Sequence, residues 1–169
     1  MKVTYRWLPA PANIGFANLT DSPKTGGEFR AAIGNLESTL FDLNGGGDGL
    51  EDFPLDHYFA PQVYGRKMLL PAGSTIVGKV HRHAHLNVVI SGHAIVATPF
   101  GREEVRAGDV FVSKPGTKRA VRALVDTVWL TIHPNETDTQ DLAEIERFVI
   151  AAPTFEALTA EDKKLLEVS

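Results

Sequence analysis

The chain reads GSTIVGKVHRHAHLNVVISG from residue 73 to residue 92. Four basic side chains occupy alternate positions in the middle of this stretch: Lys79, His81, His83 and His85. Because successive side chains of a strand point to opposite faces, an extended backbone would present all four on one face. Neutral imidazoles are ligands for Zn, Fe, Ni, Cu and Mn, so the cluster predicts a divalent metal site. Residues two apart in a strand are separated by roughly 6.5 to 7 Å, so a bend or another strand must supply one ligand.

The residues on either side, from 63 to 133, form short runs rich in β-branched side chains, with turn residues every eight to ten positions. This spacing is typical of an all-β sandwich or barrel. We predict eight strands: Val63–Leu70, Thr75–His83, Asn87–Ile90, Ala94–Thr98, Glu103–Ala107, Val110–Ser113, Arg119–Leu124 and Thr127–His133. Eight strands in one domain favour a jelly roll.

The last predicted strand has two chemically different faces. One face consists of Trp129, Thr131 and His133. The other consists of Val128, Leu130 and Ile132. We predict that the aliphatic face packs in the core, because alternate residues of a half-buried strand share one environment. The face with Trp129 would then line either a pocket or a dimer interface.

Helical patterns lie outside the strands. Residues 28–43 form a moderately amphipathic pattern, and the glycine-rich residues 44–49 cannot continue a helix. After the strands, Asp138 can cap a helix that extends through Val149. A short final helix is predicted over residues 159–166, with Asp162 at the capping-box position.

Charge is divided along the chain in the same way as the predicted elements. The N-terminal extension with one helix and the Gly-rich loop, residues 1–60, has four Lys or Arg and eight Asp or Glu. The β-barrel, residues 61–134, has ten and four, and the C-terminal helical arm, residues 135–169, has three and nine. We expect the acidic flanks to fold back on a basic sheet. Since the basic residues are dispersed and lack interleaved aromatic side chains, no nucleic acid partner is predicted.

Composition excludes several other classes of protein. A chain of 169 residues suits one domain, and the absence of cysteine excludes disulfides and thiolate zinc sites. The chain has no apolar run long enough for a signal peptide or a membrane span, so we expect a soluble, cytoplasmic protein without a membrane partner. There is no nucleophile elbow, phosphate-binding glycine loop or dinucleotide fingerprint.

The glycine framework of residues 73–92 resembles the first motif of the cupin superfamily, which is Gly, five residues, His-x-His, three or four residues, Glu, six residues and Gly. In this alignment Lys79 and His81 stand where the two motif histidines belong, and His85 stands where the glutamate belongs. The second cupin motif is Gly-Asp, followed by a proline–glycine turn and then a histidine. Gly108-Asp109 and Pro115-Gly116 resemble its first two parts, and Arg119 stands at its histidine position. The resemblance implies an all-β, cupin-type jelly-roll β-barrel with an N-terminal helical extension and C-terminal helices.

Further phrases resemble small cupin-like proteins of tailed phages and prophages. They include residues 78–81, 85–87, 113–119 and 126–134. This likeness implies a viral or prophage origin and supplies no reaction.

Two sites can be drawn from these residues. In a metal site, His81 and His85 are ligands and either His83 or His133 supplies the third imidazole, which suits Zn, Fe, Ni or Mn. Asn87 would orient a ligand.

In an anion site, Lys79 and Arg119 would hold the carboxylate or phosphate of a small anionic molecule. Tyr64, which alternates with Arg66 and Met68, would line the same pocket. Metal and anion can also bind side by side. The alternative is a metal-free structural or accessory protein. A homodimer is expected in either case, because the helical arms offer apolar faces to a second copy.

Overall fold

The structure is a computed structural model that describes residues 15–46, 53–98 and 100–167, with side chains through residue 164. The helices in these residues are α1 (Phe16–Thr20), α2 (Gly26–Leu43), α3 (Leu142–Val149) and α4 (Ala160–Glu167). The strands are β1 (Leu55–Ala60), β2 (Val63–Leu70), β3 (Thr75–Val77), β4 (Val80–His81), β5 (His85–Ser91), β6 (His93–Thr98), β7 (Gly101–Arg106), β8 (Val110–Ser113), β9 (Ala120–Ala123), β10 (Thr127–Pro134) and β11 (Ile150–Ala152). Residues 47–49 of the predicted glycine-rich loop lie outside the described ranges. In the described part of the chain, no helix is long and apolar enough to cross a membrane.

The strands form two main antiparallel sheets. One has the order β1-β2-β10-β5-β8 and the other has the order β3-β9-β6-β7. Strands β3 and β4 are two parts of one interrupted strand, so β2 to β10 can be counted as eight strands. Numbered in this way, and with β1 left out, the two sheets have the strand orders 1-8-3-6 and 2-7-4-5, which are those of a jelly roll. The prediction of a mostly β, antiparallel fold with flanking helices is confirmed.

The strand predictions from the sequence agree with the structure at most positions. The predicted strand Thr75–His83 is interrupted at Gly78 and Lys79, so it becomes β3 and the two-residue β4. Two strands are additional: β1 lies at the edge of the larger sheet, and β11 pairs with β4 through Ile150 and His81. Both additional strands come from segments that had been assigned to the N-terminal extension and the C-terminal arm.

The prediction for the faces of β10 is wrong. Trp129 is 6% exposed and His133 is 4% exposed, so their face points inward. Val128, Leu130 and Ile132 are only half-buried. They lie on the opposite side of the sheet, which we call the outer sheet face, and line a groove there with Tyr58 and Ile90. The error arises because the interior of this sheet is partly polar, so hydrophobicity does not identify the inward face.

The turn between β5 and β6 depends on one glycine. Gly92 has a φ of 96°, in the left-handed region that favours glycine. A Cβ atom there would lie 2.5 Å from the carbonyl oxygen of Asp126 and from Oγ1 of Thr127. Thr127 is held close to Gly92 because its hydroxyl accepts a hydrogen bond from the backbone N–H of His93.

The helices are fixed by side-chain caps and by apolar packing. Helix α2 has a capping box between Thr25 and Glu28, and its buried face includes Phe29 and Ile33. These side chains pack with Val77 and neighbouring residues in one core cluster.

Helix α3 begins three residues later than the sequence predicted. Its N-cap is Asp141, whose carboxylate accepts the backbone N–H groups of Ala143 and Glu144. Asp138, the predicted cap, has a φ of 54° and accepts a hydrogen bond from the backbone N–H of Gln62 instead. Asp138 therefore joins the arm to the β1–β2 turn. In the final helix, Thr159 and Asp162 form the predicted capping box.

The acidic flanks fold back on the basic strands, as the charge pattern predicted. Three ion pairs make the connection: Lys79–Glu146, Arg82–Asp162 and Lys118–Glu37. The Lys118 ammonium is deeply buried and also donates to the carbonyl oxygens of Gly78 and Pro153, at 2.8 and 2.7 Å. It therefore ties α2, the β3–β4 connection and the C-terminal arm together.

Candidate metal and anion site

The register of the larger sheet sorts its inward side chains into rows. His133 of β10 is opposite Tyr64 of β2, and His85 of β5 is opposite Ser113 of β8. One step along the strands, Thr131 lies between Arg66 and Asn87. A further step brings Trp129 between Met68 and Val89. The interior therefore changes from imidazole, through cationic and amide groups, to apolar side chains.

Three imidazoles from three strands meet in this interior. The ring centroids are 4.2 Å apart for His81 and His85, 4.6 Å for His85 and His133, and 5.6 Å for His81 and His133. We call these residues the histidine triad. A break in the strand after β4 makes the meeting possible, since His81 ends β4 and His85 begins β5. The bend that the sequence analysis required lies between these two residues.

His83 and Lys79 do not join the triad. The His83 ring stacks on Phe148 of α3, with centroids 4.5 Å apart, and its Nε2 is buried without a hydrogen-bond partner. Its carbonyl oxygen lies 3.4 Å from Nδ1 of His85. The Lys79 ammonium is paired with Glu146 of α3. Of the two histidines that could supply a third imidazole, His133 is therefore the one that lies beside His81 and His85.

Burial keeps the triad neutral at pH 7. Desolvation lowers the pKa of His81 to about 3, that of His85 to about 4 and that of His133 to about 2. For His81 and His133, the positive charge that neighbouring histidines would acquire lowers the pKa further. The Arg66 guanidinium lowers the pKa of all three. A neutral imidazole has a free ring nitrogen lone pair, which is the form that binds a metal.

The spacing of the triad fits a metal ion. A nitrogen bound at about 2.1 Å puts its ring centroid roughly 3.2 Å from the ion, so rings that subtend about 90° to 120° at one ion have centroids about 4.5 to 5.5 Å apart, close to the observed separations. Nδ1 of His133 is buried and has no hydrogen-bond partner, which leaves a ligand atom unused. Across the side chains of residues 15–46, 53–98 and 100–164, however, no three His, Asp or Glu residues already have the arrangement of a finished metal site. The rings are tilted from one another by only 8° to 36°, so binding would require them to rotate.

Tyr64 packs against the histidine triad on the side covered by helix α3. Its ring stacks on His133 with centroids 6.0 Å apart, and its hydroxyl is 2.8 Å from Nδ1 of His57. Ile145 and Val149 of α3 pack with Tyr64 in one buried cluster. The arm therefore covers the side of the triad that faces away from the apolar rows.

A small cavity of about 90 Å³ lies beside the triad. Its polar lining includes His81, His85, Asn87, Arg66 and Arg119, and its apolar lining includes Met68, Leu70, Ile76, Val121 and Trp129. The cavity therefore has one cationic end and one hydrocarbon end.

Arg119 is held in place by a chain of hydrogen bonds. Its guanidinium donates to Oγ of Ser113, which also accepts from Nδ2 of Asn87 at 2.7 Å. Nε1 of Trp129 donates to Oδ1 of Asn87 at 3.1 Å. The guanidinium carbon also lies 5.0 Å from the centroid of the Phe111 ring. Asn87, which the sequence analysis expected to orient a ligand, is hydrogen-bonded to Ser113 and Trp129.

Arg66 is the cationic residue that the sequence analysis did not select. It occupies an inward position of β2 between Tyr64 and Met68 and lines the cavity. In the sequence, Arg66 alternates with Tyr64 and Met68, which would put the three side chains on one face of a strand. That this face points inward follows only from the pairing of Arg66 with Thr131 of β10.

Comparison with known proteins gives similarity to solved structures only. No protein-family model and no curated protein matches the chain. Similar structures include a cupin-2 domain protein from Shewanella frigidimarina, with 12% identity over 47% of this chain and 80% of that chain and a TM-score of 0.41. An RmlC-like cupin from the same organism has 19% identity over 51% and 79% of the chains, with a TM-score of 0.43. A protein from Klebsiella pneumoniae with a double-stranded β-helix domain has 17% identity over 52% and 80%, with a TM-score of 0.44.

Proposed function

We propose that this chain is a cupin-type protein that binds a divalent metal ion through His81, His85 and His133 and binds a small anionic ligand beside it. The observation that supports the metal is the convergence of three imidazoles, two buried and that of His81 half-buried, with centroids 4.2 to 5.6 Å apart. Imidazole-rich sites suit Zn, Fe, Ni or Mn. A bound metal ion would supply Lewis acidity and a fixed point of attachment for an oxygen of the ligand.

The surrounding residues have distinct tasks in this proposal. The carbonyl oxygen of His83 accepts the N–H at Nδ1 of His85, which leaves Nε2 of that ring free for a metal. Arg119 binds the anion, since Ser113 and Phe111 hold its guanidinium in position. Trp129 and the aliphatic side chains exclude water from the opposite end of the cavity.

The metal half of the proposal is tested by elemental analysis of protein purified without chelator. We expect close to one equivalent of metal in the parent protein and less than about a tenth of that in a His81→Ala plus His85→Ala variant, because two of three ligands are lost. His93→Ala is the matched control, since His93 lies on β6 and contacts Glu104 outside the cavity. Absence of metal from the parent after exposure to Zn, Fe, Ni and Mn would refute this half.

The alternative function is that of a metal-free structural or accessory protein, for which the outer sheet face would be the assembly surface, although a dimer through this face is compatible with both functions. Six large apolar side chains on this face are 39% to 61% exposed: Tyr58, Val63, Leu86, Ile90, Val110 and Val112. Contiguous exposed apolar surface of this kind marks interaction sites. We propose a second copy of the chain as the partner, since a flat apolar sheet face can pack on its own symmetry mate.

The dimer is tested by light scattering after size exclusion. The parent should elute as a dimer, and Ile90→Asp plus Val112→Asp should give a monomer because it puts charge in the middle of the interface. Arg102→Asp, on the other sheet, is the control. A monomeric parent at micromolar concentration would exclude this interface.

A further inference from the structure

We infer that the ligand of the cavity is a short-chain carboxylate of two or three carbons, whose carboxylate group is bound by Arg66 and Arg119. This inference rests on the anion site of the proposed function and gives that site a substrate class. Four features of the cavity support it: the unpaired charge of two arginines, the position of their donors, the small volume and the contrast between the cationic and hydrocarbon ends.

Unpaired positive charge marks the cavity. Lys79, which also lines it, is paired with Glu146. Arg82 and Lys118, outside the lining, are paired with Asp162 and Glu37. Arg66 and Arg119, which line the cavity itself, form no ion pair with any carboxylate in the described part of the chain. Two half-buried guanidinium groups beside a neutral triad leave an excess of positive charge in a confined space. A buried charge is costly unless it is paired, so the cavity favours an anion.

The donors of Arg119 are prepositioned. A guanidinium has five N–H donors in a planar fork that matches a carboxylate. Ser113 accepts from one nitrogen of Arg119, and the guanidinium carbon lies 5.0 Å from the centroid of the Phe111 ring. The Arg66 side chain also lines the cavity. Because Arg119 is already held in position, binding through it would cost little side-chain entropy.

The cavity is small, with a volume of about 90 Å³, and it is partly open. A cavity of about 150 Å³ holds benzene, which has six non-hydrogen atoms, so this one encloses roughly four. A two-carbon acid would fit inside, and a three-carbon acid would reach the open side. Sugars, aromatic acids and nucleotides are too large.

The hydrocarbon end of the cavity favours a carboxylate over a phosphate. Both groups pair well with arginine, but phosphate has oxygen atoms on every side. One of these would be forced against the hydrocarbon end that Met68, Ile76 and Val121 form. A short carboxylate instead has a polar head for the arginines and one or two carbons for the hydrocarbon end.

The test is titration calorimetry of the full chain, in zinc-loaded and chelator-treated forms, with five probes: propionate, pyruvate, inorganic phosphate, benzoate and gluconate. We expect propionate or pyruvate to bind at least about tenfold more tightly than the other three. Arg66→Gln and Arg119→Gln should each weaken that binding by at least about tenfold, because each removes a charged hydrogen-bond donor. Arg106→Gln, on the exposed edge of β7, should leave it unchanged.

Several results would overturn the inference. They are an absence of binding by both short carboxylates, equal or tighter binding of gluconate, benzoate or phosphate, or full affinity in both arginine variants. The comparison of probes on the parent protein remains decisive even if a variant fails to fold.

Failure of the inference and failure of the metal proposal remain distinguishable. If zinc binds in stoichiometric amount but neither short carboxylate does, the ligand class is wrong and the metal half stands. If pyruvate binds the chelator-treated chain and zinc never does, the ligand class stands and the metal half falls.

Discussion

The imidazole rings of His81 and His85 lie closer to each other, at 4.2 Å, than either lies to the ring of His133. Their separation reflects the bend between β4 and β5. His85 and His133 are buried, and His81 is half-buried. In the metal-free protein, protonating one ring therefore opposes protonation of the next and also meets the cost of burial.

This relationship predicts a pH dependence for the metal-free protein. The folded pKa values of about 3, 4 and 2 lie below the unfolded value of 6.5, so only the unfolded chain takes up protons as the pH falls below 6.5. The free energy of unfolding should therefore fall between pH 7 and 5.5, by about 1 kcal/mol for each imidazole, and these groups should contribute no slope above pH 7.5. Urea denaturation after treatment with chelator measures it. A His81→Ala plus His85→Ala variant with an undiminished slope would contradict this origin.

Metal and anion should strengthen each other's binding. The positive charge of Arg66 and Arg119 opposes a divalent ion in the adjacent triad, and a carboxylate on the arginines would remove that opposition. We expect saturating pyruvate to raise zinc affinity at least about fivefold, and zinc to raise pyruvate affinity by the same factor, because such coupling is reciprocal. Competition with a chromophoric chelator gives the first number and calorimetry the second. Absent coupling would mean that the two ligands do not share the cavity.

Replacement of Gly92 by alanine should destabilise the fold strongly. The added Cβ would lie 2.5 Å from the Asp126 carbonyl oxygen, at a φ that already favours glycine. Gly108→Ala is a matched control, since Gly108 has a φ of 94° but no atom within 4 Å of the added Cβ. We expect Gly108→Ala to cost about 1 kcal/mol and Gly92→Ala at least about 2 kcal/mol more, as measured by urea denaturation. Equal costs would mean that the turn relaxes around the new methyl group.

Replacement of Lys118 by methionine should also be costly. The change leaves the Glu37 carboxylate and the carbonyl oxygens of Gly78 and Pro153 without their shared donor. Breaking a buried ion pair costs about 3 to 5 kcal/mol, and we expect the lower end because Glu37 is partly exposed. Lys24→Met, which removes an exposed pair with Asp21, should cost less than about 1 kcal/mol. Similar thermal midpoints for the two variants would show that Lys118 does not join the three segments energetically.

The sequence predicted most of the strands because β-branched runs and glycine turns are local signals. It placed β10 with the wrong face inward, since Val128, Leu130 and Ile132 are more apolar than Thr131 and His133 and yet lie outside. The inward direction is decided by pairing across the sheet, where Thr131 is opposite Arg66 and His133 is opposite Tyr64. Such pairing joins residues far apart in the chain, and a single strand does not reveal it.

The candidate site was predicted only in part. The alternation of histidines in the sequence identified His81 and His85, but the choice between His83 and His133 depended on the bend at residues 82–84, between β4 and β5. That bend turns the His83 ring toward Phe148 of α3. Arg66 escaped selection because one arginine in a strand has no distinguishing spacing.

The pairing of β4 with β11 has a consequence for how the protein is made. Strand β4 has two residues, and Ile150 is the partner of His81. The backbone N–H of Arg82 likewise donates to the carbonyl oxygen of Val149. On the ribosome, therefore, all three histidines are synthesised well before the segment that completes the hydrogen bonding of the first of them. The two jelly-roll sheets can assemble before that segment leaves the exit tunnel, and the interior pocket reaches its final form only when β11 is available to pair with β4.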